Sequence, residues 1–169
     1  MSTKKLGRPT DQRLAMVANL ATDLLWYGKI ETTLERAKEA AKYAEKCITI
    51  AIKGYADVIA VDKKTVDSKG KEKTVSVNKD GVKKLNARRK LLSMLEDRQE
   101  QRVKGEKKAA FKARKGDIKH PLIEKLFEDY APKYAKRAEE TGNGGGYTRV
   151  IKTSVRRGDN AQLAIAELV

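Results

Sequence analysis

Residues that support disulfide bonding, metal binding or acid–base catalysis are scarce in this 169-residue sequence. It has one cysteine, Cys47, which cannot close a disulfide within the chain, and one histidine, His120. It has no cysteine pair and no H-E-x-x-H motif, and therefore no metal-ligand spacing. We interpret Cys47 as a small buried hydrophobe in a helical stripe, and His120, just before Pro121, as a helix cap. The sequence thus gives little support to catalysis, and we expect no cofactor and no small-molecule substrate.

Long apolar runs and aromatic residues are also scarce. No run approaches the roughly 18 apolar residues of a membrane span, and the segment MSTKKLGRPTDQR lacks the apolar region of a signal peptide. Aromatic residues make up 5% of the chain, which predicts a small core of aliphatic residues and alanine. We expect a soluble intracellular protein, with one domain over residues 1–169.

Positive charge, in contrast, is abundant. Lysine and arginine total 38 against 23 acidic residues, which gives a formal net charge of +15 and an isoelectric point near 9.8. Such a chain repels itself unless counterions or a polyanion neutralise the charge. A polyanionic partner is therefore the first hypothesis.

The first part of the chain predicts two helices joined by a strand. Apolar residues recur at spacings of three and four between Pro9 and Gly28, which is the pattern of a helix face. The stretch KIETT alternates as a short strand does. Thr32 and Glu35 then have the spacing of a capping box, which satisfies two backbone donors at a helix start. A second helix begins there and ends at Gly54.

Residues 55–84 change in pattern, which sets them apart as an insertion. The runs DVIAV and KTVSV predict a hairpin closed by residues 68–71, although a disordered loop would have the same composition. From about Lys84 a helical stripe resumes, formed by Leu85, Leu91, Leu92 and Leu95. Residues 104–119 hold seven cations and two anions. They predict either a linker or a helix that needs a partner.

The last part of the chain predicts a helix followed by a β-hairpin. Pro121 occupies the first position of a helix that includes Leu126 and Phe127 on its apolar face, and the Ala131-Pro132 step breaks or kinks it. After the loop TGNGGG, the runs YTRVIK and QLAIAELV are typical of two antiparallel strands. Together with KIETT they predict a small mixed sheet covered by helices on one side. The expected class is α+β in two layers.

The cations form four separated clusters. A single lysine is readily explained as solvated surface, but four clusters of the same sign are not. They are the amino-terminal arm within residues 1–9, residues 83–90, residues 104–119 and the carboxy-terminal hairpin. Cations at a helix amino terminus oppose the helix dipole, so for Arg88 and Arg89 we favour binding to an anion. Guanidinium groups on a rigid hairpin suit bidentate contact with phosphate oxygens. The candidate nucleic-acid-binding residues in the arm, its continuation and the hairpin are Lys4, Lys5, Arg8, Arg13, Arg149, Lys152, Arg156 and Arg157.

Other motifs allow more than one function. Tyr147 is either a base-stacking or a packing side chain. The cluster GNGGG has free backbone donors that could bind a phosphate. However, it joins a helix to a strand and lacks the Lys-Ser or Lys-Thr of phosphate-binding loops. A flexible connector is therefore an equally good interpretation. Gly158 and Asp159 form the turn of the hairpin. A small enzyme built on the glycine cluster would need His120, Glu139 or Asp159 for acid–base chemistry.

Several stretches resemble the family of bacterial large-subunit ribosomal protein seventeen: KLGRPTDQRLAM, KIETTLERAKE, NARRKLL and GGYTRVIKTSVRRGDNA with a closing ELV, in that order. The resemblance covers chiefly residues 4–53, 86–95 and 121–169. It implies an α-β-α-α-α-β-β fold, binding to large-subunit ribosomal RNA near the polypeptide exit tunnel, and no enzymatic activity. By position it implies that a set of basic residues faces RNA: Lys5, Arg8, Arg13, Arg36, Lys38, Arg88, Arg89, Arg149, Arg156 and Arg157.

Residues 55–84 and 104–119 exceed what this resemblance leads us to expect. Their partners stay open between additional RNA and neighbouring large-subunit proteins. The alternative function is a non-ribosomal nucleic-acid-binding protein, which would not sediment with the large subunit. In either case the sequence has no zinc finger, RNP aromatic signature or KH loop, which favours recognition of backbone and shape over reading of bases.

Overall fold

A computed structural model describes residues 4–66, 72–116, 118–142 and 144–169 of the chain. Its elements are α1 (Thr10–Tyr27), β1 (Lys29–Thr33), α2 (Leu34–Gly54), β2 (Val58–Val66), β3 (Glu72–Asp80), α3 (Val82–Met94), α4 (Lys108–Lys115), α5 (Pro121–Lys125), a π-helical turn (Leu126–Tyr130), α6 (Ala131–Thr141), β4 (Thr148–Val155) and β5 (Gln162–Leu168). This order confirms the expected α+β class.

The predicted end of α1 at Gly28 is confirmed. Gly28 has a φ of 77°, which glycine adopts without strain, and its N–H donates to the carbonyl oxygen of Leu24 at 2.8 Å. The chain then passes directly into β1. Leu24 and Leu25 are fully buried, so the apolar stripe of α1 faces the core over its last turns.

α2 lies across the centre of the fold and contacts α1, α3, α6 and the sheet. Its inner face is built largely from alanines, including the fully buried Ala37, Ala44 and Ala51, and such small side chains allow close approach of the neighbouring layers. The predicted capping box is wrong. The N-cap residue is Thr33, which makes no side-chain capping bond, and the Glu35 carboxylate pairs with lysines instead of reaching back to the backbone.

The three-stranded sheet has the order β1-β5-β4. Both pairings are antiparallel, so the predicted mixed sheet is wrong: β1 pairs with β5 and never lies beside β4. Ala164 and Ala166 of β5 are fully buried, whereas Ile151 of β4 is 41% exposed. One face of the sheet therefore packs on helices and the other is open, which confirms the two-layer arrangement.

The predicted hairpin in the insertion is confirmed as β2 and β3. They pair antiparallel from Val58 opposite Asp80 to Val66 opposite Glu72. The predicted closing residues 68–71 lie outside the described residues. Val58 and Ile59 are about half exposed at the base of the hairpin.

α3 packs against the end of α2 through a glycine. A Cβ atom added to Gly54 would lie 2.9 Å from Cβ of Ala87, so the two helices approach too closely for a side chain there. The predicted leucine stripe of α3 is only half correct. Leu91 and Leu95 are buried, whereas Leu85 and Leu92 are 37% and 38% exposed because α3 touches the core along a narrow strip.

The helical path from Pro121 continues to Thr141, so of the break or kink predicted at Ala131-Pro132 the break is wrong. A π-helical turn precedes the proline, and the N–H of Ala131 donates to the carbonyl oxygen of Leu126, five residues back. The wider turn accommodates a proline ring that would otherwise clash with the preceding turn. Leu126 and Phe127, in this turn, are buried as predicted.

The lysine-rich segment contains a helix, α4, rather than a linker alone. α4 has no buried residue, and Arg114 near its end pairs with Glu106 and Glu100 ahead of the helix. Residue 117 lies outside the described residues. Across the described ranges, no helix combines the length and apolarity needed to cross a membrane.

Candidate nucleic-acid interface

The amino-terminal arm, residues 4–9, is held against the starts of α1 and α2. Lys4 Nζ forms an ion pair with Glu35, and Arg13 Nη1 donates to the carbonyl oxygen of Lys4 at 3.4 Å. Lys38 Nζ lies 3.3 Å from the other oxygen of Glu35. Hydrogen bonds from Lys4 and Lys38 lower the pKa of Glu35. Two candidate residues, Lys4 and Lys38, therefore meet around one carboxylate, and Arg13 is bonded to the backbone of Lys4 beside them.

The arm has little to bury besides Leu6, yet its residues 4–9 form a defined turn. Leu6 and Gly7 both have positive φ, and the Arg8 N–H donates to the carbonyl oxygen of Lys5 at 3.1 Å. The arm thus makes a turn that leaves Lys5 and Arg8 exposed. Residues 1–3 lie outside the described residues.

α2 carries a lysine row that the sequence reasoning missed. Lys38, Lys42 and Lys46 are exposed and follow one another at intervals of four residues, so they share one side of the helix. That spacing is visible in the sequence and could have identified the two missed residues. Arg36, the other candidate residue on α2, is half-buried.

Arg88 is engaged inside the protein. Its Nε donates to Oδ2 of Asp80 at 2.6 Å, and the guanidinium also pairs with Glu124 and lies 5.3 Å from the ring centre of Phe127. Desolvation lowers the pKa of Arg88, but its bonds to the two carboxylates outweigh this and raise it; the same contact lowers the pKa of Asp80. The anions that Arg88 binds are thus two carboxylates of the protein itself. Arg89 is exposed.

The carboxy-terminal hairpin divides its cations between two faces. Arg149 lies opposite Glu167 on the open face of the sheet, with Nη1 3.8 Å from the carboxylate. Lys152 lies opposite Ala164, whose face packs on the helices, yet Lys152 itself is exposed because β4 is an edge strand. A register shift follows between Lys152 and Val155. The exposed cations of the hairpin therefore lie on both faces of β4 and do not form one flat surface.

The turn of the hairpin is stabilised by an ion pair. Arg156 donates from Nε and Nη2 to the two carboxylate oxygens of Asp159, at 2.9 and 2.6 Å. These bonds lower the pKa of Asp159 to about 2 and raise that of Arg156. Asn160, not Gly158, takes the positive φ of the turn, at 54°. Arg157 is exposed beside this pair.

Tyr147 is a packing residue. It is 6% exposed, its ring centre lies 4.8 Å from that of Tyr134, and the guanidinium of Arg137 covers both rings. Arg137 also donates to the carbonyl oxygens of Gly145 and Gly146. The glycine loop is therefore attached to α6 through its carbonyl groups, whereas a phosphate cradle would present N–H groups.

His120 and Asp159, two of the residues that acid–base chemistry would need, interact with other side chains. His120 is the N-cap residue of α5, as predicted, although its side chain makes no capping bond; its Nδ1 lies 3.3 Å from Oδ1 of Asp97. Asp159 is bonded to Arg156. Cys47 is buried, and burial raises the pKa of its thiol to about 12. The described ranges hold no group of three or more potential metal ligands.

Comparison with known proteins identifies relatives over nearly the whole chain. The sequence model of the family "Ribosomal protein L17" matches residues 16–169. The chain is 37% identical to "Large ribosomal subunit protein bL17" of Clostridium botulinum over 166 residues, 98% of this chain and 96% of that protein. The proteins of the same name from Clostridium acetobutylicum and Clostridium tetani match with the same identity and coverage.

Proposed function

Because the chain belongs to the ribosomal protein L17 family, we propose that it is a structural constituent of the large ribosomal subunit and binds large-subunit ribosomal RNA. The relatives are large-subunit proteins by name, and the charge of +15 calls for a polyanion. On this proposal the protein works on the ribosome in the cytoplasm, beside other large-subunit proteins, and has no catalytic activity. A position near the polypeptide exit tunnel follows from the family resemblance and is part of the same proposal.

The observation that carries RNA binding is the exposure of cations on rigid elements at separate places in the fold. They sit on the arm, on α1, α2 and α3, and around the carboxy-terminal hairpin, where the scaffold limits their motion. Lysine and arginine held in this way replace the mobile counterions of RNA and release them to solvent. The proposed contact residues are Lys4, Lys5, Arg8, Arg13, Arg36, Lys38, Arg89, Arg149, Lys152, Arg156 and Arg157.

Arg88, predicted as a contact, is left out of this set. Its side chain is 20% exposed and two carboxylates neutralise it. An arginine in that state releases few counterions on binding RNA, so its role in the proposal is to hold the base of the hairpin formed by β2 and β3.

The proposal is tested by incorporation and by salt dependence. The triple variant Arg149→Ala, Lys152→Ala and Arg157→Ala should enter large subunits less efficiently than the wild type, because it loses hairpin cations without losing buried contacts. Its affinity for the purified ribosomal RNA should fall, and the log–log slope against salt should become shallower by about one for each phosphate contact removed. A matched control is Lys136→Ala, an exposed lysine on α6 outside the proposed set.

Two results would contradict the proposal. If the triple variant enters subunits normally with an unchanged salt slope, the hairpin does not contact RNA. If the wild-type protein in cells does not sediment with the large subunit, the chain acts instead as a non-ribosomal nucleic-acid-binding protein.

A further inference from the structure

A groove of about 630 Å³ lies between the arm, α1, α2 and the end of α3. This volume lies within the range of small-molecule sites, roughly 300–1,000 Å³. Its floor is apolar and includes Leu14 and Val17 from α1, Tyr43 from α2 and Met94 from α3. Tyr43 donates its hydroxyl to the carbonyl oxygen of Met94 at 3.0 Å, which fixes the ring at one end. Leu14 is 41% exposed into this groove, although it belongs to the apolar stripe of α1.

Cations surround the apolar floor. Arg13, Lys42 and Lys46 line the groove together with Lys4, and Lys42 is 73% exposed at its rim. The lining thus has four positive charges against one carboxylate, that of Glu39. An apolar floor with a cationic rim is complementary to a ligand with a flat apolar body and anionic groups, as in a nucleotide.

Glu39 adds a specific feature to the floor. Its side chain is 8% exposed, and in the described part of the chain its Oε1 accepts a hydrogen bond from Lys42 Nζ at 3.5 Å. A carboxylate has about four acceptor positions, and a buried one is costly unless donors fill them. The groove therefore offers a buried acceptor to a ligand that carries adjacent N–H donors.

We propose that this groove holds one unstacked guanosine of the bound RNA. The guanine ring lies on Leu14 and Val17 and beside Tyr43. Its N1–H and N2–H donate to the carboxylate of Glu39. The flanking phosphates lie on Arg13, Lys42 and Lys46. This inference rests on the proposed RNA binding and adds to it the kind of nucleotide that one site takes.

Guanine fits better than the other bases for a chemical reason. Bases splayed out of single strands are read along their Watson–Crick edges, and only the guanine edge presents two adjacent donors to a carboxylate. Adenine and cytosine each offer one amino donor next to an acceptor nitrogen, which would face the carboxylate. Uracil offers one N–H between two carbonyl oxygens. An acidic peptide satisfies the rim but supplies no paired donors to Glu39.

The test uses the full chain and two fluorescein-labelled RNA pentamers, UUGUU and UUUUU, in fluorescence anisotropy at low salt. The wild type should bind UUGUU about tenfold more tightly, as expected for one bidentate contact. Glu39→Gln should abolish this preference. It should not weaken UUUUU binding, because the substitution removes a negative charge, so the variant separates base reading from general attraction.

Two further variants report on the rim and the floor. Lys46→Ala should weaken both pentamers more than Lys53→Ala, an exposed lysine on the same helix that does not line the groove. Leu14→Ala should reduce the preference for UUGUU, and because Leu14 is partly exposed the variant should keep its fold. Far-UV circular dichroism checks each variant, and if Glu39→Gln is unfolded, Leu14→Ala decides the outcome.

The outcomes separate this inference from the proposed function. If the wild type binds both pentamers equally, the guanosine site is wrong while RNA binding stands. If it binds neither pentamer and does not enter large subunits, both are wrong. If an acidic peptide of alternating glutamate and leucine binds more tightly than UUGUU at the same salt, the groove is a protein site and the inference is overturned.

Discussion

The guanidinium of Arg88 is bonded to Asp80 across the junction between α3 and the hairpin of β2 and β3, with Nε 2.6 Å from Oδ2. The two residues are partly buried, at 20% and 22% side-chain exposure. The contact fixes the last residue of β3 to the second turn of α3. A cation in a basic cluster thus joins two elements of the fold.

Arg88→Gln should therefore lower the free energy of unfolding. We expect a loss of about 1.5 to 3 kcal/mol, because two partly buried carboxylates lose their charged donor. Urea unfolding followed by circular dichroism measures this, with the exposed neighbour Arg89→Gln as the control. An unchanged stability for Arg88→Gln, combined with weaker RNA binding, would return Arg88 to the contact set.

Leu126→Ala should destabilise the protein through the cavity it leaves. Leu126 is fully buried in the π-helical turn, and such truncations cost about 2 to 5 kcal/mol. Leu92→Ala, at an exposed position of α3, should change the free energy of unfolding by much less. Equal effects of the two variants would mean that the turn does not belong to the core.

Gly54→Ala should destabilise the protein, although alanine is the better helix former. The added Cβ would meet that of Ala87 at 2.9 Å, and overpacking of this kind costs about 1 to 3 kcal/mol. The second substitution Ala87→Gly removes the clash and should restore part of the loss. Thermal unfolding of the single and double variants measures this, and a stabilised Gly54→Ala would contradict the close approach of α2 and α3.

The Asp159 carboxylate should titrate near pH 2 in the wild-type protein. Its pKa is lowered to about 2 by Arg156, so the ion pair contributes stability above the unfolded value near 3.9 and loses it as the pH falls towards 2. In Arg156→Gln the titration should move up towards the ordinary value. Carbon-detected NMR of the carboxyl group follows both titrations, and an identical midpoint would show that the pair does not persist in solution.

The Cys47 thiol should react slowly with thiol reagents in the folded protein. Burial raises its pKa to about 12, so little of the reactive thiolate forms at pH 8. Labelling with Ellman's reagent should become rapid in denaturing urea. Rapid labelling without denaturant would mean that the inner face of α2 opens readily.

The sequence carries most of the fold, because local signals set most element boundaries. Gly28 and Gly54 end their helices where predicted, and alternating or β-rich runs locate the five strands of the described residues. The errors in the predicted fold arise where residues far apart in the sequence determine the contact. Glu35 has a capping spacing, yet lysines from the arm and α2 take its carboxylate. No local pattern shows that β1 pairs with β5 and that both pairings of the sheet are antiparallel.

The candidate interface was less predictable than the fold. Cation clusters are visible in the sequence, but whether a cation is neutralised depends on partners far along the chain, as Glu124 is for Arg88. The packing role of Tyr147 likewise depends on Tyr134 in another element. The groove escaped prediction because residues of three helices and the arm meet there, and only the spacing of Lys42 and Lys46 hinted at it.

The position of β5 in the sheet has a consequence for folding during synthesis. β5 is the central strand, and it pairs with β1 more than 120 residues earlier in the chain. While a ribosome is still making the intervening residues, β1 has no strand beside it and the inner face of α2 has no sheet to cover. Closing so long a loop is slow, and we expect the nascent chain to depend on transient helix contacts until residues 162–168 emerge.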